Sequence, residues 1–134
     1  MNSAPDLRPL ILLVEDDRDT REMYVVALGM LGFRVLEAGS AAAARAAARA
    51  TQPDIVVSDL MLPDADGCDL CAEFSRGGDT PAVPTIALTG RSSDEDLDRC
   101  AAAGCVRVLV KPCSPDTLAK AIEEVLSESR ARQS

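Results

Sequence analysis

The sequence contains no histidine and no tryptophan, and its aromatic side chains are only Tyr24, Phe33 and Phe74. Lysine is scarce as well, with Lys111 and Lys120 the only two among 14 basic residues. Without histidine there is no Ser-His-Asp triad, no Cys₂His₂ zinc site, no histidine general base and no phosphohistidine. Three aromatics cannot form a base-stacking platform, and 22 acidic residues against 14 basic ones, a net charge of −8, oppose a phosphate-tracking surface. The chain is therefore not expected to bind nucleic acid by itself. No apolar run approaches the roughly 20 residues of a membrane span. Residues 1–9 lack a basic n-region, and the apolar run at 10–14 is too short for a signal sequence and ends in three acids. The five cysteines are odd in number, so a soluble cytoplasmic protein with reduced thiols, not in contact with a membrane, is the expectation.

What is present is an alternation of short apolar runs and helical patterns. Residues 10–14, 34–37, 55–58, 85–88 and 106–110 read as strands rich in Val, Ile and Leu. Between the first two, Met23, Val26, Ala27, Met30 and Leu31 recur at i, i+3, i+4, i+7 and i+8, which predicts the buried face of a first helix. Asp17 or Asp19 is its expected cap. A second, alanine-rich helix follows Ser40 as N-cap and runs to Thr51, and a third follows Pro63 and ends near Gly77. The fourth opens on a capping box, Ser92-x-x-Glu95; Leu97 is its only large apolar residue, so it should be the most loosely held. Ser114, Pro115 and Asp116 open the fifth, whose buried stripe is Leu118, Ile122, Val125 and Leu126. Five β-α units with short connections imply one α/β domain: a doubly wound, five-stranded parallel sheet with five helices. Its expected extent is 9–127, between a disordered segment at 1–8 and a frayed tail at 128–134. Met1 and the unpatterned start suggest a natural N-terminus, whereas the last residues read equally as an end or as the start of a linker.

In such a sheet ligands bind at the carboxyl ends of the strands, where the strand order reverses. The polar residues just after the strands are Glu15, Asp16 and Asp17 after the first, Asp59 after the third, Thr89 after the fourth and Lys111 after the fifth. Carboxylates gathered at one point repel, so a cation must hold them or some must be protonated. A hard cation such as Mg²⁺, which needs one or two carboxylates plus phosphate oxygens, fits the set. A carboxylate can itself be a nucleophile and form an acyl phosphate, with Lys111 neutralising the transferring oxygens and Thr89 donating a hydrogen bond. Taken singly, each of these residues reads equally as a cap, a turn hydroxyl or a surface charge.

The segments LILLVEDDRDTRE (10–22), PDIVVSDLMLPDADG (53–67), PTIALTG (84–90) and VLVKP (108–112) together resemble the response regulator receiver domain of bacterial two-component signalling, in its single-domain form. The resemblance implies that the doubly wound sheet is of flavodoxin-like, receiver type, and that Asp59 is the phosphoacceptor. It also implies Mg²⁺ (or Mn²⁺) held by Asp16 and Asp59, by the Met61 backbone carbonyl, and by Glu15 through water. Thr89 and Lys111 would contact the phosphoryl group, and the Lys111–Pro112 peptide would be cis. The implied donor is a phosphohistidine on a sensor histidine kinase or histidine phosphotransfer protein, and the reader an unidentified downstream protein. The receiver would be a monomer or a weak dimer through the face of the fourth helix, fifth strand and fifth helix. It would not be an enzyme beyond its own phosphorylation and slow dephosphorylation.

Three positions depart from the family pattern. Val108 stands where members carry Tyr or Phe, so any readout is expected to rely on Thr89 reorienting and on movement of the fourth helix. Met61 and Arg91 occupy positions that tune phosphoryl lifetime; a thioether and a long cation there should hinder attacking water and give slow-to-moderate autodephosphorylation. Cys68-x-x-Cys71 can be read as a redox or metal pair, but small semi-buried side chains are the expected explanation for all five cysteines. Competing functions are a pseudo-receiver acting without phosphorylation, the receiver piece of a longer DNA-binding or enzymatic regulator, and a dehalogenase-type phosphatase. The last needs a second aspartate where Met61 stands.

Overall fold

The computed structural model describes residues 6–78, 80–90 and 94–133. Strands and helices alternate along the chain: β1 (Leu10–Val14), α1 (Arg18–Met30), β2 (Arg34–Ala38), α2 (Ala41–Ala50), β3 (Ile55–Asp59), α3 (Gly67–Arg76), β4 (Thr85–Thr89), α4 (Asp94–Ala102), β5 (Arg107–Val110) and α5 (Pro115–Gln133). The strands form one sheet in the order β2-β1-β3-β4-β5, every neighbouring pair parallel. Every residue of β1, β3 and β4 is buried. That is why their sequences run apolar without alternating, as parallel strands covered on both faces must.

The pleat sends alternate residues to opposite faces. Ile11, Leu13, Ile55, Val57, Ile86 and Leu88 pack with Leu28 of α1 and with Leu118, Ile122 and Val125 of α5. Leu12, Val14 and Val56 pack on the other side with Leu70 and Phe74 of α3 and with Ala41, Ala44 and Ala48 of α2. Methyl side chains on α2 let that helix lie close to the sheet. Side-chain oxygens of Asp17, Ser40 and Asp66 accept backbone N–H groups at the starts of α1, α2 and α3, and Ser114 Oγ accepts the Thr117 N–H at 3.2 Å at the start of α5. Among the described residues no helix is long and apolar enough to cross a membrane.

The structure corrects several sequence expectations. The stripe predicted to bury α1 faces outward: Met30 is 84% exposed and Val26 62%, while the buried residues of the helix are Tyr24 and Leu28. The apolar residues of α1 satisfy a helical period on two faces, and it is Tyr24 and Leu28, with Val25 partly buried beside them, that pack with Phe33 and the sheet. We therefore expect Leu28→Ala to cost about 2–5 kcal/mol of stability. Met30→Lys should cost less than about 0.5 kcal/mol. Urea unfolding midpoints check this, and comparable losses in the two variants would mean that the stripe is packed after all.

The third helix begins at Gly67 rather than just after Pro63, because Asp64 is engaged in accepting the Ala41 and Ala42 N–H groups while Asp66 caps α3. In α4 the buried residue is Cys100, and Leu97, its one large apolar residue, is half-buried. The capping-box serines Ser92 and Ser93 lie outside the described residues, as do residues 1–5 of the N-terminal segment. Of that segment, Asp6 pairs with Arg8, whose carbonyl accepts from Arg34 of β2. The expected tail is helical to Gln133. Glu128 bonds to Arg107 of β5, and Arg130 and Arg132 lie in the last turn, where cations suit the helix dipole.

Candidate functional site

From β1 the chain goes to β2 on one side and then crosses back to β3 on the other, so the sheet's order reverses between β1 and β3. A crevice at the carboxyl ends of these strands is the expected ligand position, and the polar residues converge there. Glu15 directly follows β1 and is 1% exposed. Its N–H donates to the Ala38 carbonyl at 3.0 Å, and its own carbonyl accepts from Arg21 Nη1 at 2.8 Å. Arg21, which the sequence reading did not single out, also reaches Glu37 through Nε at 3.1 Å and so holds the β1–α1 turn.

Asp59 is the last residue of β3 and is buried. Its Oδ1 accepts the Met61 N–H at 3.0 Å and its Oδ2 accepts from Lys111 Nζ at 2.9 Å. The same ammonium donates to Glu15 Oε1 at 2.8 Å. The Lys111 N–H donates to the Thr89 carbonyl at 2.7 Å, which extends β5 toward the site, and the Lys111–Pro112 peptide is cis. Behind this loop the Tyr24 hydroxyl donates to the Cys113 carbonyl at 2.6 Å, tying α1 to the β5–α5 connection.

Carboxylate oxygens of Glu15, Asp16 and Asp59 lie within 4.8 Å of one another, with Asp16 the exposed member. Thr89 ends β4 at the same edge and is fully buried. Met61 turns its backbone toward Asp59 while its side chain is exposed. Val108 lies on β5 opposite Ala87, packed with the small cluster of Cys68, Ala87 and Cys100. Arg91 lies outside the described residues. Gly67 is a further residue that sequence reasoning passed over: its N–H donates to the Leu60 carbonyl at 3.0 Å, and a Cβ there would overlap the backbone of Asp59 and Leu60. Its only sequence signal is a lone glycine in the loop after the phosphoacceptor candidate.

The electrostatics follow from crowding. Burial and the adjacent Asp59 raise Glu15 from its ordinary 4.5 to about 7, against the pull of Lys111. For Asp59 burial pushes upward, but the contacts with Glu15, the Met61 N–H and the Lys111 ammonium outweigh it and hold the carboxyl below its usual value. Burial likewise opposes the charge on Lys111, and its two carboxylate partners override it and raise the ammonium's pKa. The result is an ionised aspartate beside a retained cation and a proton-holding glutamate. Glu15 Oε2 is buried without a hydrogen-bond partner. An orphaned carboxylate oxygen next to two further carboxylates is an oxygen donor set of the kind a hard divalent cation takes.

A family model for the response regulator receiver domain matches residues 11–123. Among curated proteins, the phosphate regulon transcriptional regulatory protein PhoB of Pseudomonas aeruginosa is 34% identical over 116 residues, covering 87% of this chain and 51% of PhoB. The probable transcriptional regulatory protein TcrX of Mycobacterium tuberculosis is 36% identical over 127 residues, covering 94% of this chain and 50% of TcrX. The chain thus spans about half the length of these relatives. Among solved structures, chemotaxis protein CheY4 of Vibrio cholerae superposes with a TM-score of 0.81 at 28% identity, covering 88% of this chain and 98% of CheY4. A CheY-like receiver domain protein of Methanospirillum hungatei superposes with a TM-score of 0.85 at 26% identity, covering 93% and 98%. With the parallel 2-1-3-4-5 sheet and the acidic pocket at its reversal point, these matches establish that this chain belongs to the response regulator receiver domain family of two-component signalling.

Proposed function

We propose that Asp59 takes a phosphoryl group from a phosphohistidine on a partner kinase or phosphotransfer protein, and that the phosphorylated domain signals through protein–protein contacts. The observation that carries this reading is Asp59 itself: an ionised carboxylate at the end of β3, one oxygen fixed by the Met61 N–H and the other by the Lys111 ammonium. In the reaction a carboxylate oxygen attacks phosphorus and the phosphorus–nitrogen bond breaks. The bonding pair returns to the partner's imidazole and an acyl phosphate forms on Asp59. Lys111 can follow the charge from the Asp59 carboxylate to the phosphoryl oxygens, and Thr89 at the end of β4 supplies a hydroxyl. Asp16, Asp59 and the Met61 carbonyl, with Glu15 through water, would hold Mg²⁺ or Mn²⁺. When bound, such a cation neutralises charge on the transferring oxygens.

The chain supplies no histidine, so it acts on the receiving side only. It is not an enzyme toward other substrates, and its setting is the cytoplasm with its kinase. With Val108 in place of a ring, output runs through Thr89 and through α4, which buries one side chain, Cys100. The test is incubation with acetyl phosphate and Mg²⁺, followed by intact mass. We expect a gain of one phosphoryl group in the wild type and none in Asp59→Asn or in chelator. No gain in the wild type with any small phosphodonor would overturn the reading in favour of an interaction module that works without phosphorylation.

A further inference from the structure

Four of the five cysteines gather on one flank of the sheet, outside the phosphoacceptor pocket. Cys68 and Cys71 sit on α3, Cys100 on α4 and Cys105 just after it. Cys68 does not pair with its helix neighbour Cys71. The Cys68 and Cys100 sulfurs face each other across the α3–α4 seam at 3.9 Å, while Cys105 lies near enough to Cys71 to help push that thiol's pKa up. Cys68 and Cys100 are both buried, and they pack in one cluster with Ala87 of β4, whose side chain is only a methyl group. Arg99, the neighbour of Cys100, already reaches α3 through a 2.8 Å ion pair with Asp66, the N-cap residue of α3. A cleft of about 230 Å³, lined by Met61, Asp66, Cys68 and Arg99 among others, opens onto the Cys68 side of the pair. Small oxidants therefore have a route to one thiol while the other stays sealed. Among the described residues no three of these thiols come close enough together to form a metal cage.

The geometry points to Cys68 and Cys100 as a redox modification site: a dithiol that closes to a disulfide and fastens α4 to α3. Bringing the sulfurs from 3.9 Å to a bond of about 2 Å asks for side-chain rotation at a seam that the Asp66–Arg99 pair already holds together. With a hydroperoxide as the oxidant, one thiol attacks the peroxide oxygen and becomes a sulfenic acid, releasing an alcohol or water. The second thiol then displaces water from it. Two electrons pass from the two sulfurs to one peroxide, and both thiol protons leave in the products. Burial, with Cys100 beside it, pushes the Cys68 thiol up to about 12, so closure is slow at neutral pH and is driven by sustained oxidant. The site does not depend on phosphorylation, and Asp59 chemistry can fail without affecting it. Its consequence is mechanical: the disulfide fixes the C-terminal half of α4, the helix with only one buried side chain.

The experiment treats the full chain with diamide, whose N=N bond takes up the two hydrogens, and in parallel with hydrogen peroxide. Remaining thiols are alkylated under denaturing conditions and the peptides mapped without reduction. Closure is expected to lower the alkylated thiols from five to three and to yield a Cys68–Cys100 linked peptide. Amide exchange across α4 should slow, and dithiothreitol should restore all five thiols. Cys68→Ser, at the cleft side, should abolish both the link and the slowed exchange. The wild-type map decides the matter without any variant. Five reactive thiols after oxidation, oxygen added without a link, or linked peptides that lack the Cys68–Cys100 pair would each overturn the assignment.

Discussion

Replacing Lys111 with methionine is expected to abolish phosphoryl gain at Asp59 and to destabilise the metal-free protein at pH 8 by about 3–5 kcal/mol. The ammonium donates to both Glu15 and Asp59, and the side chains of these two acids are 2% and 10% exposed. Removing the cation leaves Asp59 buried without its counter-charge beside Glu15, which can then be ionised at pH 8 only against that repulsion and otherwise keeps its proton. On a domain whose total stability is of the order of 5–15 kcal/mol, that loss is readily measured. The pair-specific origin has a signature. Glu15→Gln combined with Lys111→Met removes one of the two opposed charges, and the double variant should recover most of the loss. Urea unfolding of the single and double variants in chelator checks this. A loss below about 1 kcal/mol in Lys111→Met would mean that the bridge behaves like an exposed surface pair.

The same residues show what sequence could and could not carry. β1, β3 and β4 were legible because a strand covered on both faces has no polar face to interrupt its apolar run. Once the parallel order was inferred, topology alone brought Glu15, Asp59 and Lys111 to one edge, where they are hydrogen-bonded. The face that α1 buries was not legible. Met23, Val26 and Met30 match a helical period as well as Tyr24 and Leu28 do, and only the position of Phe33 and the sheet decides between them. Gly67 and Arg21 were missed for a different reason. Each acts through backbone of another segment, Gly67 by lying against Asp59 and Leu60 and Arg21 by holding the Glu15 carbonyl, and no local spacing encodes such contacts. Spacing offered Cys68-x-x-Cys71 as a redox or metal pair, and small semi-buried side chains were the expected explanation. All five cysteines are free thiols, and the 3.9 Å sulfur contact runs between elements, from Cys68 to Cys100, which no local spacing encodes.

Stability of the metal-free protein is expected to fall as pH rises from about 4.5 to about 7, and Mg²⁺ to offset that fall. Glu15 carries the effect, raised from 4.5 to about 7 by burial and by Asp59. A carboxyl whose pKa is higher in the folded state binds its proton more tightly there than in the unfolded chain. Its contribution is complete below 4.5 and is lost as pH passes through about 7. A shift of this size is worth about 3 kcal/mol. Asp59 acts in the opposite sense but in a separate window: it is held below 3.8, so its contribution is lost only as pH falls through that region. Lys111, raised above 10.5, loses its contribution only in strong alkali. Between pH 5 and 8, then, the slope among these three groups belongs to Glu15. Glu15→Gln cannot ionise there and should flatten the curve in chelator. Cation binding needs ionised carboxylates, so the stabilisation that Mg²⁺ brings should be larger at pH 8 than at pH 5 in the wild type. Urea unfolding at several pH values, with chelator and with Mg²⁺, measures both effects. Parallel curves for wild type and Glu15→Gln would show that the proton does not reside on Glu15. The pocket is thus strained toward a cation: the carboxylate that Lys111 cannot fully satisfy either keeps a proton or takes a metal, and pH selects between them.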